Sequence, residues 1–254
     1  MNLLDRKILE SSYLVQNNAF VLPEKQNELF HFPDVEDQQI PSGWELLKKS
    51  GSVISFLDHN KKCFIKIYRR NSFWKSLKRA VGYPRSRRCL AGALRLKELE
   101  IPTPEVWYAS KYELVTEQLG AENEYLHIVP GSLPKLLDLL IRLHQGGVYH
   151  GDLNCRNIYR TADDQYGLID LDSVSLYSGI VPFRVRMAEL GRIISSGLFC
   201  ANQRKWDDIR SQTDDLCALY EEKSHLPCNR KMVERFVYTH LVHLVKKYGI
   251  VFEE

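Results

Sequence analysis

The run His150-Gly151-Asp152-Leu153-Asn154-Cys155-Arg156-Asn157 is followed downstream by Leu168-Ile169-Asp170-Leu171-Asp172. Any fold this chain adopts has to bring these two segments together. Asp152 suits the alignment of an attacking hydroxyl. Asn157 and Asp170 offer an amide oxygen and a carboxylate, hard ligands of the kind that hold Mg²⁺ between nucleotide phosphates. Phosphoryl transfer asks a protein mainly for positioning and charge neutralisation, so a few well-placed oxygens suffice. Ile158-Tyr159-Arg160 and Tyr166-Gly167-Leu168-Ile169 read as short strands around a polar turn at 161–165, a hairpin that would return Asp170 to Asn157. Asp172 is a candidate for the second metal position or a cap of the following turn. Asn154 is a candidate phosphate or substrate contact, or a loop-stabilising side chain.

Upstream, Cys63-Phe64-Ile65-Lys66-Ile67-Tyr68 alternates as a strand, and a lysine there can reach the α/β-phosphates. Residues 44–48 and 53–57 make two further strands, joined through Lys49-Ser50-Gly51-Ser52. Gly51 and Val53 are therefore expected on the nucleotide side with Lys66. Around Glu117 an apolar strand gives way to Gly120 and a polar run, the expected crossing between lobes, where backbone groups would read adenine.

These residues resemble those of the bacterial lipopolysaccharide core kinases, which phosphorylate Kdo or heptose and have a protein-kinase-like fold. The resemblance runs over roughly residues 44–200. It is carried by the Lys66 strand, the basic stretch from Arg69-Arg70 to Arg85-Ser86-Arg87-Arg88, Ile101-Pro102-Thr103-Pro104, the segment 143–154 and Leu168-Ile169-Asp170-Leu171-Asp172. It implies an α+β, two-lobed fold with a small antiparallel-sheet lobe (1–116) and a mainly helical large lobe (117–254). It also implies ATP and Mg²⁺ as cofactors, Asp152 and Lys66 as catalytic residues, and Asn157, Asp170 and Asp172 as metal ligands. Lys66, Gly51, Val53, Glu117 and Asn154 are the implied nucleotide contacts. The implied acceptor is a core sugar, and the implied location is the cytoplasmic face of the inner membrane.

The chain departs from the general kinase pattern in three places. It has no G-x-G-x-x-G loop, only Gly51. The helix expected at 86–99 has Cys89 about where kinases place the glutamate that pairs with the strand lysine, while Glu98 and Glu100 come late. Gly151 replaces the arginine that receives a phosphorylated activation loop in many protein kinases. H-G-D-L-x-x-x-x-N instead looks like the loop of small-molecule and sugar kinases.

At 254 residues, 44% apolar and 26% charged, the chain is long enough for one two-lobed unit with a sizeable core. Its six cysteines form no C-x-x-C pair, which indicates neither a disulfide framework nor a zinc site. The segment 1–10 is charged, so no leader is expected, and no apolar run approaches the roughly 20 residues of a membrane span. The net charge of +3 conceals a local concentration. Arg69, Arg70, Lys75, Lys78, Arg79, Arg85, Arg87 and Arg88 are interleaved with Phe73, Trp74 and Tyr83 and with no acidic residue. Such a segment suits a phosphosugar or an anionic membrane surface, with Phe73, Trp74, Leu77 and Val81 as a shallow apolar stripe. Nucleic acid is not an expected partner.

Helices are expected at 133–145, 183–199 and 230–248 from apolar residues at helical spacing. His240 and His243 share the last of these without a third metal ligand nearby in sequence. His144 and His150 read as packed loop braces. Two alternatives remain at this level: a soluble small-molecule kinase of the aminoglycoside or choline type, whose acceptor pocket is typically acidic, and a nucleotide-binding scaffold without turnover.

Overall fold

The computed structural model describes residues 8, 11–16, 18–27, 40–69, 84–120, 124–125, 133–200 and 205–248. Its contacts divide the chain into two units, residues 1–98 with 103–121, and residues 99–102 with 122–254.

The first unit is built on seven strands: β1 (Leu14–Gln16), β2 (Ala19–Val21), β3 (Trp44–Lys49), β4 (Val53–Asp58), β5 (Cys63–Tyr68), β6 (Val106–Ala109) and β7 (Glu113–Glu117). They form one antiparallel sheet in the order β1-β2-β6-β7-β5-β4-β3. Successive side chains on a strand point to opposite faces. In β5 this sends Cys63 and Ile65 into a core with Ile54, Phe56, Val115, Leu22 and Trp107. Each large side chain so buried stabilises the fold by about 1.5–3 kcal/mol. Helix α1 (Arg85–Glu98) lies against β6 and buries Cys89, Leu90 and Leu96. The Ser86 hydroxyl ties its start to the Ser110 carbonyl.

The strands expected at 44–48 and 53–57 form as β3 and β4, and the helix expected at 86–99 forms as α1. Residues 1–43 were expected in the sheet lobe without any particular strand; there β1 and β2 form a short antiparallel pair that joins the sheet through Phe20 opposite Ala109. Of the basic stretch, residues 70–83 lie outside the described residues, and with them the expected stripe of Phe73, Trp74, Leu77 and Val81.

In the second unit come β8 (Glu124–Tyr125), α2 (Leu133–Gln145), β9 (Val148–Tyr149), β10 (Ile158–Arg160), β11 (Tyr166–Leu168), β12 (Ser175–Leu176), α3 (Phe183–Cys200), α4 (Trp206–Ser224) and α5 (Arg230–Tyr248). Small sheets β11-β10-β8 and β12-β9 carry the loop segments. Helix α3 is buried on almost every side, through Met187, Leu190, Ile193, Ile194 and Leu198. Helix α5 packs on it through Val233, Val237 and Leu241. Gly191 permits that approach, because a Cβ there would lie 2.6 Å from the Phe236 Cβ. Helix α4 was not expected; its buried face is Ile209, Thr213, Leu216, Cys217 and Tyr220. Among the described residues no helix is long and apolar enough to cross a membrane. The six cysteines are free thiols.

Candidate active site

Strand β9 delivers the chain to His150, where Gly151 turns it with φ +82°. A Cβ at Gly151 would stand 2.6 Å from the Ser173 carbonyl oxygen, so glycine is required here both by backbone conformation and by space. Asn154 then caps the single 3-10 turn Cys155–Asn157, its side-chain oxygen accepting the Arg156 N–H at 3.0 Å. Its amide donates to the Asp152 carbonyl at 2.9 Å. Asn154 thus holds the loop at both ends of its side chain.

Strands β10 and β11 form the expected hairpin, with Ile158 opposite Leu168. Ile169 N–H donates to the Asn157 carbonyl at 3.0 Å, so Asp170 follows directly on a residue bonded to Asn157. The Asn157 amide donates to the Asp152 carbonyl at 2.8 Å. His150 closes the circuit: Nε2–H donates to the Ile169 carbonyl at 3.0 Å, leaving Nδ1 to accept the Asp152 N–H at 3.4 Å. Asp152, Asn157 and the backbone that leads into Asp170 are therefore joined by hydrogen bonds in one constellation. Asp170 is exposed and adopts the left-handed conformation (φ 59°, ψ 54°), tolerated better by Asp and Asn than by most residues. Asp172 lies in the next 3-10 turn, Leu171–Ser173.

Behind the loop runs a buried polar chain in which His144 is the brace expected of it, while Arg186, Glu189 and Tyr220 were not anticipated. Arg186 Nη1 donates to the Tyr220 oxygen at 3.3 Å, and the Tyr220 hydroxyl donates to His144 Nδ1 at 2.8 Å. His144 Nε2–H meets Glu189 Oε2 at 3.3 Å, and Glu189 Oε1 accepts the Gly151 N–H at 2.9 Å. This order of donors requires a neutral imidazole. Burial does push the His144 pKa below its ordinary value, and the Glu189 hydrogen bond only partly opposes that. A fully buried glutamate is tolerated here because both its oxygens are bonded.

Beside the loop, Arg192 on α3 places Nη1 3.0 Å from Asp152 Oδ1. Ser195 donates its hydroxyl to the Arg192 carbonyl at 2.9 Å, and His240 Nδ1 meets the same hydroxyl at 2.5 Å. The His240 pKa is lowered to about 4, first by burial and then by the charges of Arg192 and His243, with Asp152 opposing. His240 is thereby engaged with helix α3. Among the described residues no group of three or more His, Cys, Asp or Glu is arranged to hold a metal.

In the first unit, Lys66 sits on β5, in the interior of the sheet, opposite Ser55 of β4 and Leu114 of β7. Its Nζ is 5.8 Å from the Phe64 ring centre on the same strand face, away from the core residues Cys63 and Ile65. Gly51 lies in a tight turn, where the Val53 and Ser52 N–H groups are directed at Ser50 Oγ, at 3.2 and 3.5 Å. Val53 begins β4 opposite Tyr68. Glu117 ends β7 with its carboxylate accepting the Glu105 N–H at 2.9 Å. Cys89 is buried in α1, which has no acidic residue in its first turn.

No protein-family model matches the chain, and no curated protein is similar to it in sequence. Among solved structures, the chain is similar to the Rio2 kinase ADP/Mg²⁺-phosphoaspartate complex from Chaetomium thermophilum. The identity is 19% and the TM-score 0.40, over 81% of this chain and 65% of that one. It is also similar to the bifunctional kinase-methyltransferase WbdD, with 16% identity and a TM-score of 0.45 over 78% of this chain and 51% of that one. The chain therefore spans less than two thirds of either protein. An antiparallel sheet with a lysine on an interior strand, followed by a helical unit that carries the loop and hairpin, makes a protein-kinase-like two-lobed α+β fold.

Proposed function

We propose that this protein is an ATP- and Mg²⁺-dependent kinase that phosphorylates a sugar hydroxyl, Kdo or heptose, of the lipopolysaccharide inner core. It would work at the cytoplasmic face of the inner membrane. The observation that carries the kinase reading is the hydrogen-bonded joining of Asp152, Asn157 and the Asp170 turn within one small constellation.

Asn157 and Asp170 fit Mg²⁺ by their chemistry, since both are hard oxygen donors and this ion keeps most of its shell for water and phosphate. Mg²⁺ bound there, with Asp172 in reach of the next turn, would neutralise phosphate charge. The Asn157 amide N–H is bonded to the Asp152 carbonyl, which turns its oxygen to the opposite side for a ligand role. Asp152 would orient the acceptor hydroxyl and take its proton, and Lys66 would balance the α/β-phosphates. The sugar and membrane parts of the proposal rest on the resemblance noted in the sequence and on the basic residues between Arg69 and Arg88.

Two observations favour a nucleotide-binding scaffold instead. The Ser52 and Val53 N–H groups serve the Ser50 hydroxyl rather than an open phosphate cradle, and α1 starts without an acidic residue. The intact Asp152, Asn157 and Asp170 weigh against that reading.

Incubation with labelled ATP, Mg²⁺ and deacylated core oligosaccharide separates the possibilities. The kinase reading expects label on the oligosaccharide and a loss of about 10²- to 10⁴-fold in Asp152→Ala, with an unchanged circular dichroism spectrum. Binding of nucleotide without transfer to any acceptor would establish the scaffold. Transfer only to free cationic metabolites would establish a small-molecule kinase.

A further inference from the structure

We propose that Arg192 is a positioning residue for the Asp152 carboxylate, a cation supplied from helix α3 where the loop position Asn154 is neutral. The inference rests on the kinase reading above and adds a residue to it.

Three features lead to Arg192. Asn154, the loop position that could have carried a cation beside Asp152, is neutral, and its side chain is bonded at both ends to loop backbone. Arg192 Nη1 donates to Oδ1 of Asp152 at 3.0 Å. A charge-assisted bond to one oxygen restricts the rotation of the carboxylate, so that its other oxygen can serve an incoming hydroxyl. Finally, the helix backbone that carries Arg192 is itself held. Its side chain is 34% exposed, against 49% for Asp152. Its carbonyl accepts the Ser195 hydroxyl, which in turn meets His240. Because Ser195 has one proton and gives it to the Arg192 carbonyl, His240 donates from Nδ1 to the Ser195 oxygen. The buried, apolar body of α3 makes this a rigid mount, better suited to fixing a carboxylate than a flexible loop lysine.

The test uses the full chain with MgATP and deacylated core oligosaccharide. Arg192→Gln is expected to lower kcat about 10- to 100-fold while KM for MgATP changes less than about twofold. Arg192→Lys falls between, about 3- to 10-fold down, because an ammonium keeps the charge but not the guanidinium geometry. Combined with Asp152→Asn, Arg192→Gln adds less than about twofold further loss, the signature of two residues acting as one device. Arg192→Gln with kcat within about twofold of wild type, or losses that multiply with Asp152→Asn, overturns the inference and leaves the kinase reading standing. If Arg192→Gln does not fold, the lysine variant decides: an unchanged kcat in that folded protein overturns it equally. A wild-type chain that transfers phosphate to no acceptor removes the kinase reading and this inference together.

Discussion

Glu189 lies 38 residues downstream of Gly151, yet its Oε1 holds the Gly151 backbone N–H at 2.9 Å. The same carboxylate reaches His144 through its other oxygen. One buried side chain thus sets the backbone from which Asp152 projects.

Replacing Glu189 by alanine would leave the Gly151 N–H and the His144 ring without their acceptor inside a sealed interior. The expected cost is about 2–4 kcal/mol of folding stability, because orphaned buried donors lose their solvation outright. Urea unfolding reads this directly. Glu189→Gln keeps the shape and one acceptor oxygen, so it should fall between wild type and alanine.

Two imidazoles make the fold sensitive to acid. Burial holds His144 below its ordinary value, and burial with Arg192 and His243 holds His240 at about 4. In the unfolded chain both would titrate near pH 6.5. Below that pH the unfolded state binds protons that the folded state does not, so stability rises with pH. The contribution is complete above about pH 6.5 and, for His240, is lost as the pH falls toward about 4. For His240, half-buried, the loss is on the order of 2 kcal/mol after allowance for solvent screening. Denaturant midpoints measured from pH 7.5 to 4 should decline more gently in His240→Gln. An equal decline would show that His240 does not titrate as its surroundings dictate.

The thiols differ sharply although they share a chain. Cys200 is exposed, and its pKa is lowered to about 7, chiefly by a hydrogen bond from the Cys155 thiol and further by Arg156. Cys155 is pushed far up by the same contact and by burial. Iodoacetamide at pH 7 should therefore modify Cys200 first, roughly 5- to 10-fold faster than an ordinary exposed thiol. Peptide mass spectrometry gives the order of labelling. Early modification of Cys155 would contradict it.

What the sequence disclosed depends on how local the physics is. Asp152, Asn157 and Asp170 could be read because a short loop and a hairpin join them, and α2 and α5 because their apolar residues recur with the helical period over 133–145 and 230–248. β1 and β2 escaped because three-residue strands carry too little alternation to register. α4 escaped because its apolar positions are diluted by acidic and basic neighbours. Glu189 and Arg192 act from α3 across separations of 38 and 40 residues, which no periodicity reports. A signal was nonetheless present: Arg186 and Glu189 interrupt the apolar face around Met187 and Leu190, and charges set into such a face imply buried partners. Lys66, Gly51, Val53 and Glu117, the residues expected on the nucleotide side, were legible as strand and turn positions, while the bond from Glu105 to Glu117 was not.

The tight turn at Gly151 also limits how this protein could change. Installing an arginine there, the residue through which many relatives of the fold sense a modified loop, would drive a side chain into the Ser173 carbonyl on a backbone that L-residues resist. No single substitution opens that route; the chain around Ser173 would have to move aside in the same step. Control by a charged modification read at this position would thus require a rebuilt turn, not merely a new side chain.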